Sequence, residues 1–397
     1  MTGNSALGAR EDLAPTSPQP ATANTFVPAA ERNAGIDALR AALTLLVVLH
    51  HTAITYGAIG GWYYREVPTD RSIPSTLLVF FCTVNQAYFM GALFLLAGYF
   101  TPGAIRRKGP RLYLADRLVR LGLPLLFFGL VIGPATIALA QTARGRPFAP
   151  TLWRLWSEGT FESGPLWFAQ ALLLFAFGAV LWMRVFSRQA AALADDAVAR
   201  PWPSNRALAT AALVTGSAAL ALRSVWPVGV NVWGLQLGYF ASYVVLFCFG
   251  CIASRPRWLE RLTAEQMRLW WHVCVVALPI LPVAYFASRA LPALPGQALA
   301  VVYAYWEPFV AWGAIMMLVY RFQRRFATLG PWWKSLSRRA YTIYIVHPPV
   351  LVAVALAWRD VPANALVKFA VTGTVSCLLC YVLAGWVLRV PALRRAL

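Results

Sequence analysis

Histidines inside strongly apolar stretches are the residues of this sequence best suited to act as a base or a nucleophile. His50, His51 and His347 lie in such stretches. Ten residues separate Arg40 from His51, so on a helix the two share one face and stand about 16 Å apart. Asp37 adjoins Arg40 on that face. The helix would present a cation near its start and an imidazole deep inside, which suits an extended anionic substrate. An interfacial arginine and a packed histidine form the structural alternative.

A second apolar stretch carries Tyr344 and His347, whose spacing of three puts them on one helical face. Pro348 and Pro349 follow and remove backbone donors, so we predict a loosened helix beside the imidazole. Glu307 is the single acid well inside an apolar stretch. Burying an ionisable group in a membrane costs at least about 2.5–3.5 kcal/mol. We therefore expect Glu307 to be a second base, an ion-pair partner of a histidine, or a neutral structural acid.

A basic segment precedes another apolar stretch and could bind phosphate. Arg117 and Arg120 are three residues apart at its end, where their guanidinium forks match phosphate oxygens. Membrane topology alone accounts for most of the other cations of this segment. They are Arg106, Arg107, Lys108 and Arg111.

The six cysteines all lie in apolar stretches. Cys248 and Cys251, like Cys377 and Cys380, have a spacing that binds metal only in a polar setting with further ligands. Within apolar helices this spacing simply puts two small side chains on one face. We predict no metal site.

These residues require a scaffold of membrane-spanning helices. Of the 397 residues, 59% are hydrophobic and 13% charged, whereas soluble proteins have about 45–50% apolar and about 25% charged residues. About ten apolar stretches are long enough to cross a bilayer. We predict an all-α polytopic integral membrane protein, a bundle of about ten transmembrane helices, and exclude a soluble enzyme. The predicted spans are 36–56, 77–100, 121–143, 165–186, 207–222, 232–253, 270–290, 298–320, 341–358 and 365–388.

The net charge of +20 would indicate nucleic acid binding in a soluble protein. Here the positions of the basic residues indicate the topology of the chain in the membrane. With loops assigned alternately to the two sides of the membrane, 26 of the 35 Lys and Arg residues fall on the side of both termini. The positive-inside rule makes that side cytoplasmic. Residues 1–31 are predicted to be a disordered cytoplasmic tail, and 32–397 form one transmembrane domain.

Five short segments follow one another in the order found in one protein family. They are Asp37–Arg40 with His51, Phe94–Phe100, Arg117–Pro124, Gly164–Phe168 and Tyr341–His347. Together they resemble the acyltransferase family 3 membrane acyltransferases of bacteria. Ten spans with both termini inside also fit that family, and the matching segments extend over most of the chain.

The resemblance implies a membrane O-acyltransferase in a bacterial plasma (inner) membrane. It would move an acyl group, acetyl or succinyl, from cytoplasmic acyl-CoA to a hydroxyl of an extracytoplasmic carbohydrate, glycolipid or other envelope acceptor. Arg40, Arg117 and Arg120 would hold the CoA phosphates at the cytoplasmic mouth, with Asp37 beside them. Acyl-CoA is then the donor co-substrate, membrane lipid surrounds the domain, and the oligomeric state stays open.

The catalytic group implied by the resemblance centres on His51. A neutral, desolvated His51 would take the proton from the attacking hydroxyl, or would itself carry the acyl group. Tyr344 or His347 would polarise the carbonyl or orient the acceptor. Glu307 is a candidate second base.

Two other classes of membrane protein compete with this interpretation. A transporter of an envelope precursor or small solute also buries single acids and histidines, but often has two inverted halves, and no repeat is visible. A polyprenyl-linked glycosyltransferase would need an acid in an external loop, where Glu158 and Glu162 form the nearby pair.

Overall fold

The computed structural model describes Thr2 and residues 33–186, 200–290 and 296–394. All of these except Thr2 belong to the unit Asn33–Leu397. The tail predicted at 1–31 lies, apart from Thr2, outside the described residues. The described ranges are overwhelmingly helical and contain no β-strand, which confirms the all-α prediction.

Helices of very different length make up the unit, and we number the α-helices in chain order. They are α1 (Ala34–Thr55), α2 (Ile73–Arg117), α3 (Leu123–Phe127), α4 (Gly133–Gln141), α5 (Phe148–Ser157), α6 (Trp167–Val185), α7 (Asn205–Val225), α8 (Phe240–Ala253), α9 (Trp258–Arg261), α10 (Ala264–Ala277), α11 (Ile280–Ala290), α12 (Gly296–Arg325), α13 (Pro331–Ala357), α14 (Ala365–Val387) and α15 (Pro391–Arg394).

Eight helical segments of the described chain are long and apolar enough to span a membrane, against the ten spans predicted. Two predicted spans, 77–100 and 121–143, fall within one helical segment, Ile73–Arg144. This segment turns at Gly109, whose φ of 74° favours glycine, and passes through short π-helical stretches. The span predicted at 232–253 corresponds to the shorter apolar helix Leu237–Ala253. The structure thus supports a multi-pass membrane protein, and the two spans predicted at 77–100 and 121–143 lie on either side of the turn at Gly109.

Helix α1 is the central element, because it contacts α2, α12, α13 and α14. Its N-terminus is capped by Asn33, whose side-chain oxygen accepts a hydrogen bond from the Ile36 N–H at 3.2 Å. Gly35 lets α1 approach α12 closely, since a Cβ there would lie 2.5 Å from the Cα of Gln323. The helix that carries Arg40 and His51 is therefore fixed on several sides.

Close packing of α2 against α8 rests on two glycines. A Cβ at Gly98 would lie 2.1 Å from the backbone oxygen of Phe247, and one at Gly250 would lie 2.1 Å from that of Leu95. Small residues at such crossings let helix backbones approach in a membrane, where packing rather than hydrophobic burial drives association. The motif segment Phe94–Phe100 accordingly carries one side of a tight helix pair.

Candidate active site

Packing of α1 against α13 brings together two histidines that are almost three hundred residues apart. His51 Nδ1 lies 3.0 Å from His347 Nε2. The two rings are nearly parallel, with 5.2 Å between centroids and an interplanar angle of 10°. His347 is fully buried, whereas His51 is partly exposed. We call this arrangement the histidine pair.

The backbone of α13 fixes the tautomer of the neutral histidine pair. His347 Nδ1 lies 2.7 Å from the carbonyl oxygen of Tyr344, and because a carbonyl has no proton, Nδ1–H must donate. His347 Nε2 is then the acceptor and His51 Nδ1–H the donor. This leaves His51 Nε2 with a free lone pair, as a general base requires.

Pro348 explains why the Tyr344 carbonyl is free to accept that bond. In a regular helix this carbonyl would bind the N–H of residue 348, which proline lacks. The helix nevertheless continues from Pro331 to Ala357 through both prolines, so it does not break beside the imidazole. The effect of Pro348 is a freed carbonyl that orients His347.

The loop of residues 56–72, which follows α1, covers the histidine pair with an indole ring. Trp62 stacks on His51 with 4.0 Å between ring centroids and an angle of 10°, and lies 5.8 Å from His347. The sequence does not distinguish Trp62 among 17 tryptophans. The one feature of the sequence that could have pointed to Trp62 is its position in the loop after His51.

Buried polar contacts hold this loop on α14. Lys368 Nζ donates to the carboxylate of Glu66 and, at 2.8 Å, to the carbonyl oxygen of Arg359. The hydroxyls of Tyr56 and Thr372 lie 2.8 Å apart. These contacts make α14 part of the site's support, a role that its sequence does not show.

The motif segment Gly164–Phe168 lies beside the histidine pair. The Tyr344 hydroxyl donates to the carbonyl oxygen of Pro165, and its ring lies 6.2 Å from that of Phe168. Gly164 has a φ of 44°, and a Cβ there would lie 2.1 Å from the Tyr63 hydroxyl oxygen. Glycine is therefore required at this close approach.

His50 points away from the histidine pair. Its ring is turned 88° from that of His51 and stacks on Phe89 at 4.9 Å. His50 Nδ1 is buried without a hydrogen-bond partner among the described residues. The structure thus brings His51, and not its neighbour, together with the predicted Tyr344 and His347.

Glu307 forms a separate arrangement with Arg223, the arginine–glutamate pair. Its carboxylate accepts from Arg223 Nη2, and the side chains are 1% and 9% exposed. Arg223 Nε also donates to the Gly238 carbonyl oxygen at 2.9 Å, and its guanidinium lies 4.7 Å from the Tyr303 ring centroid. The ion-pair partner is therefore an arginine rather than a histidine. Sequence reasoning missed Arg223 because it lies just beyond the span predicted at 207–222.

The arginines expected to bind phosphate lie on two separate elements. Arg40 is 54% exposed and its Nη1 lies 3.7 Å from the carboxylate of Asp37, as the spacing predicts. Arg120 Nε lies 3.1 Å from Asp116. Arg117 lies over the Tyr113 ring at 5.2 Å, and its Nε is buried with no partner among the described residues. Arg117 and Arg120 contact residues of their own helical segment rather than Arg40.

These features define a helical, multi-pass membrane protein with a neutral histidine pair held between two of its helices. A family model described as an acyltransferase domain matches residues 33–385. The chain therefore belongs to acyltransferase family 3, as its motifs predict, and with its apolar helices it is a membrane acyltransferase. Neither the curated proteins nor the solved structures give a significant match.

Proposed function

We propose that this protein transfers an acyl group, acetyl or succinyl, from cytoplasmic acyl-CoA to a hydroxyl of an extracytoplasmic carbohydrate or other envelope acceptor. The end of the bundle that carries Arg40 faces the cytoplasm in this proposal, together with both termini. The end at which the loop 56–72 covers His51 faces outward. The protein is then a multi-pass enzyme of a bacterial inner membrane.

The observation that carries the proposal is the hydrogen-bonded histidine pair. His51 Nε2 takes the proton of the acceptor hydroxyl as its oxygen attacks the thioester carbon. The new ester C–O bond forms, the C–S bond breaks, and the proton passes to the departing CoA thiolate. His347 Nε2 accepts a hydrogen bond from His51 Nδ1–H and so holds the His51 ring. The same bond stabilises the partial positive charge that develops on His51, and the Tyr344 carbonyl supports His347 by accepting from its Nδ1–H. A covalent route would use the same His51 nitrogen as nucleophile.

The arginines at the end of the bundle that carries Arg40 support an anionic acyl donor. Arg40 and Arg120 are exposed guanidinium groups, which suit the phosphates of CoA, and Arg117 lies three residues before Arg120. The rise of α1 between Arg40 and His51 is about 16 Å. The long arm of CoA would bridge this distance and bring its thioester to His51.

The test is release of CoA from radiolabelled acetyl-CoA and from succinyl-CoA by purified protein in nanodiscs. We expect slow turnover by the wild type, and a loss of about 10²–10⁴-fold in His51→Ala because the general base is removed. His272→Ala is the matched control, since His272 is exposed on α10. Turnover that persists in His51→Ala would contradict the role of His51. Wild-type protein that neither binds nor cleaves either acyl-CoA would contradict the donor and favour a transporter.

A further inference from the structure

The proposed reaction places positive charge on His51 in its transition state. This holds for either route, because His51 Nε2 gains a proton or forms the new bond to the acyl carbon. In a Ser-His-Asp triad a buried carboxylate stabilises such a charge. Here the titratable side chains that act on His51 are His50 and His347, and among the described residues neither ring of the histidine pair forms an ion pair with a carboxylate. Further stabilisation would have to come from a neutral group.

The indole ring of Trp62 is a neutral group that lies directly against His51. The two rings are stacked, with 4.0 Å between their centroids and 10° between their planes. Trp62 also lies parallel to His347, at 5.8 Å. The face of an aromatic ring attracts a cation within about 6 Å of its centroid, and indole does so most strongly. One indole therefore faces both rings of the histidine pair at a distance suited to a cation–π interaction.

The fold of the loop after α1 explains why Trp62 lies over the imidazole. Helix α1 ends at Thr55, one turn after His51. The N–H groups of Glu66 and Val67 both donate to the carbonyl oxygen of Thr55, at 2.9 and 3.2 Å, so the chain folds back onto the helix end with Trp62 between. Trp62 also packs against the apolar cluster shared by α1, α13 and α14. Backbone hydrogen bonds and packing together hold the indole over the ring.

We propose that Trp62 promotes the reaction by stabilising the positive charge on His51 through the face of its indole ring. Because it acts through His51, it is a positioning residue. The assignment rests on the proposed function and adds a residue that lies outside all five motif segments. The charge is present in the transition state and absent from the ground state, so Trp62 raises kcat and leaves KM for acyl-CoA unchanged.

Fluorinated tryptophans separate this role from a purely structural one, because fluorine withdraws charge from the ring face and changes the ring's size little. Tryptophan with one, two or three ring fluorines would be incorporated at position 62 alone. Trp153 on α5, which is 72% exposed, receives the same series as the matched control. We expect kcat for CoA release to fall with each fluorine at position 62, by about 2- to 30-fold over the series, at constant KM. Neither constant should change at position 153.

Ordinary substitutions give a second measure of the same effect. Trp62→Phe keeps a weaker aromatic face and Trp62→Leu removes the face, so we expect kcat to fall further in Trp62→Leu. Trp153→Leu is the control and should match the wild type. The stacking itself can be checked without turnover. The ¹⁹F NMR signal of 5-fluorotryptophan at position 62 should shift in His51→Ala, and the signal at position 153 should not.

The outcomes distinguish a failure of this assignment from a failure of the proposed function. Wild-type protein that cleaves acyl-CoA, with a kcat that fluorination at position 62 does not change, would overturn the role of Trp62 alone. An unshifted ¹⁹F signal in His51→Ala would also overturn it, because the indole would not be stacked on the imidazole. Wild-type protein that cleaves neither acetyl-CoA nor succinyl-CoA would contradict the proposed function, and the role of Trp62 with it.

Discussion

Two polar pairs join helices inside this protein. They differ in charge and in the exposure of the residues whose hydrogen-bonding atoms lack a partner. In the histidine pair His51 is partly exposed, and when both rings are neutral its Nε2 has a free lone pair. The arginine–glutamate pair consists of opposite charges that neutralise each other. Arg223 Nη1 and Glu307 Oε1 have no partner among the described residues, but both atoms are buried. In the proposed function, exposure of an unused atom, rather than polarity, distinguishes the histidine pair from the arginine–glutamate pair.

The largest effect on stability is expected when one partner of the arginine–glutamate pair is replaced by an apolar residue. Glu307→Leu would leave Arg223 buried and unpaired, which costs about 3–5 kcal/mol of folding free energy. The double variant Arg223→Met/Glu307→Leu should recover most of this loss, because no buried charge remains. Thermal unfolding in nanodiscs checks both variants. If Glu307→Leu melts like the wild type but no longer releases CoA, the structural role of the arginine–glutamate pair is contradicted, because Glu307 would then act as a base.

A smaller effect is expected when the orientation of the histidine pair is disturbed through the backbone. Pro348→Ala supplies an N–H that competes with His347 for the Tyr344 carbonyl. Loss of a hydrogen bond worth about 1 kcal/mol predicts a roughly fivefold lower rate of CoA release. Pro349→Ala is the matched control, because its N–H would bind the Ile345 carbonyl, which the histidine pair does not use. Equal rates for the two variants would show that the Tyr344 carbonyl does not orient His347.

Much of the fold follows from the sequence, because apolar length and helix formation are local properties. Each of the ten predicted spans overlaps a helix of the structure. The count differs because two predicted spans fall in the one segment Ile73–Arg144, on either side of the non-helical Gly109, and because the helix Leu237–Ala253 is shorter than the others. A turn such as the one at Gly109 depends on packing against neighbouring helices, which composition does not record.

The site could be predicted only in part. Spacing and motif order single out His51, Tyr344 and His347, but the contact between the two histidines depends on how α1 crosses α13. Trp62 and Arg223 were missed because their importance comes from the rings and charges that they meet in three dimensions. The sequence does single out Glu307, but its pairing with Arg223 rather than with a histidine depends on packing in the same way.

Nitrogen NMR of the histidines in bilayers tests most directly the claim that His51 presents a bare Nε2. The chain has four histidines, so protein labelled with ¹⁵N at histidine can be assigned with His50→Ala, His272→Ala and His347→Leu. We predict that His51 and His347 both carry their proton on Nδ1, and that the His51 Nδ1–H signal shifts in His347→Leu because its acceptor is gone. A proton on His51 Nε2 in the wild type would contradict the account.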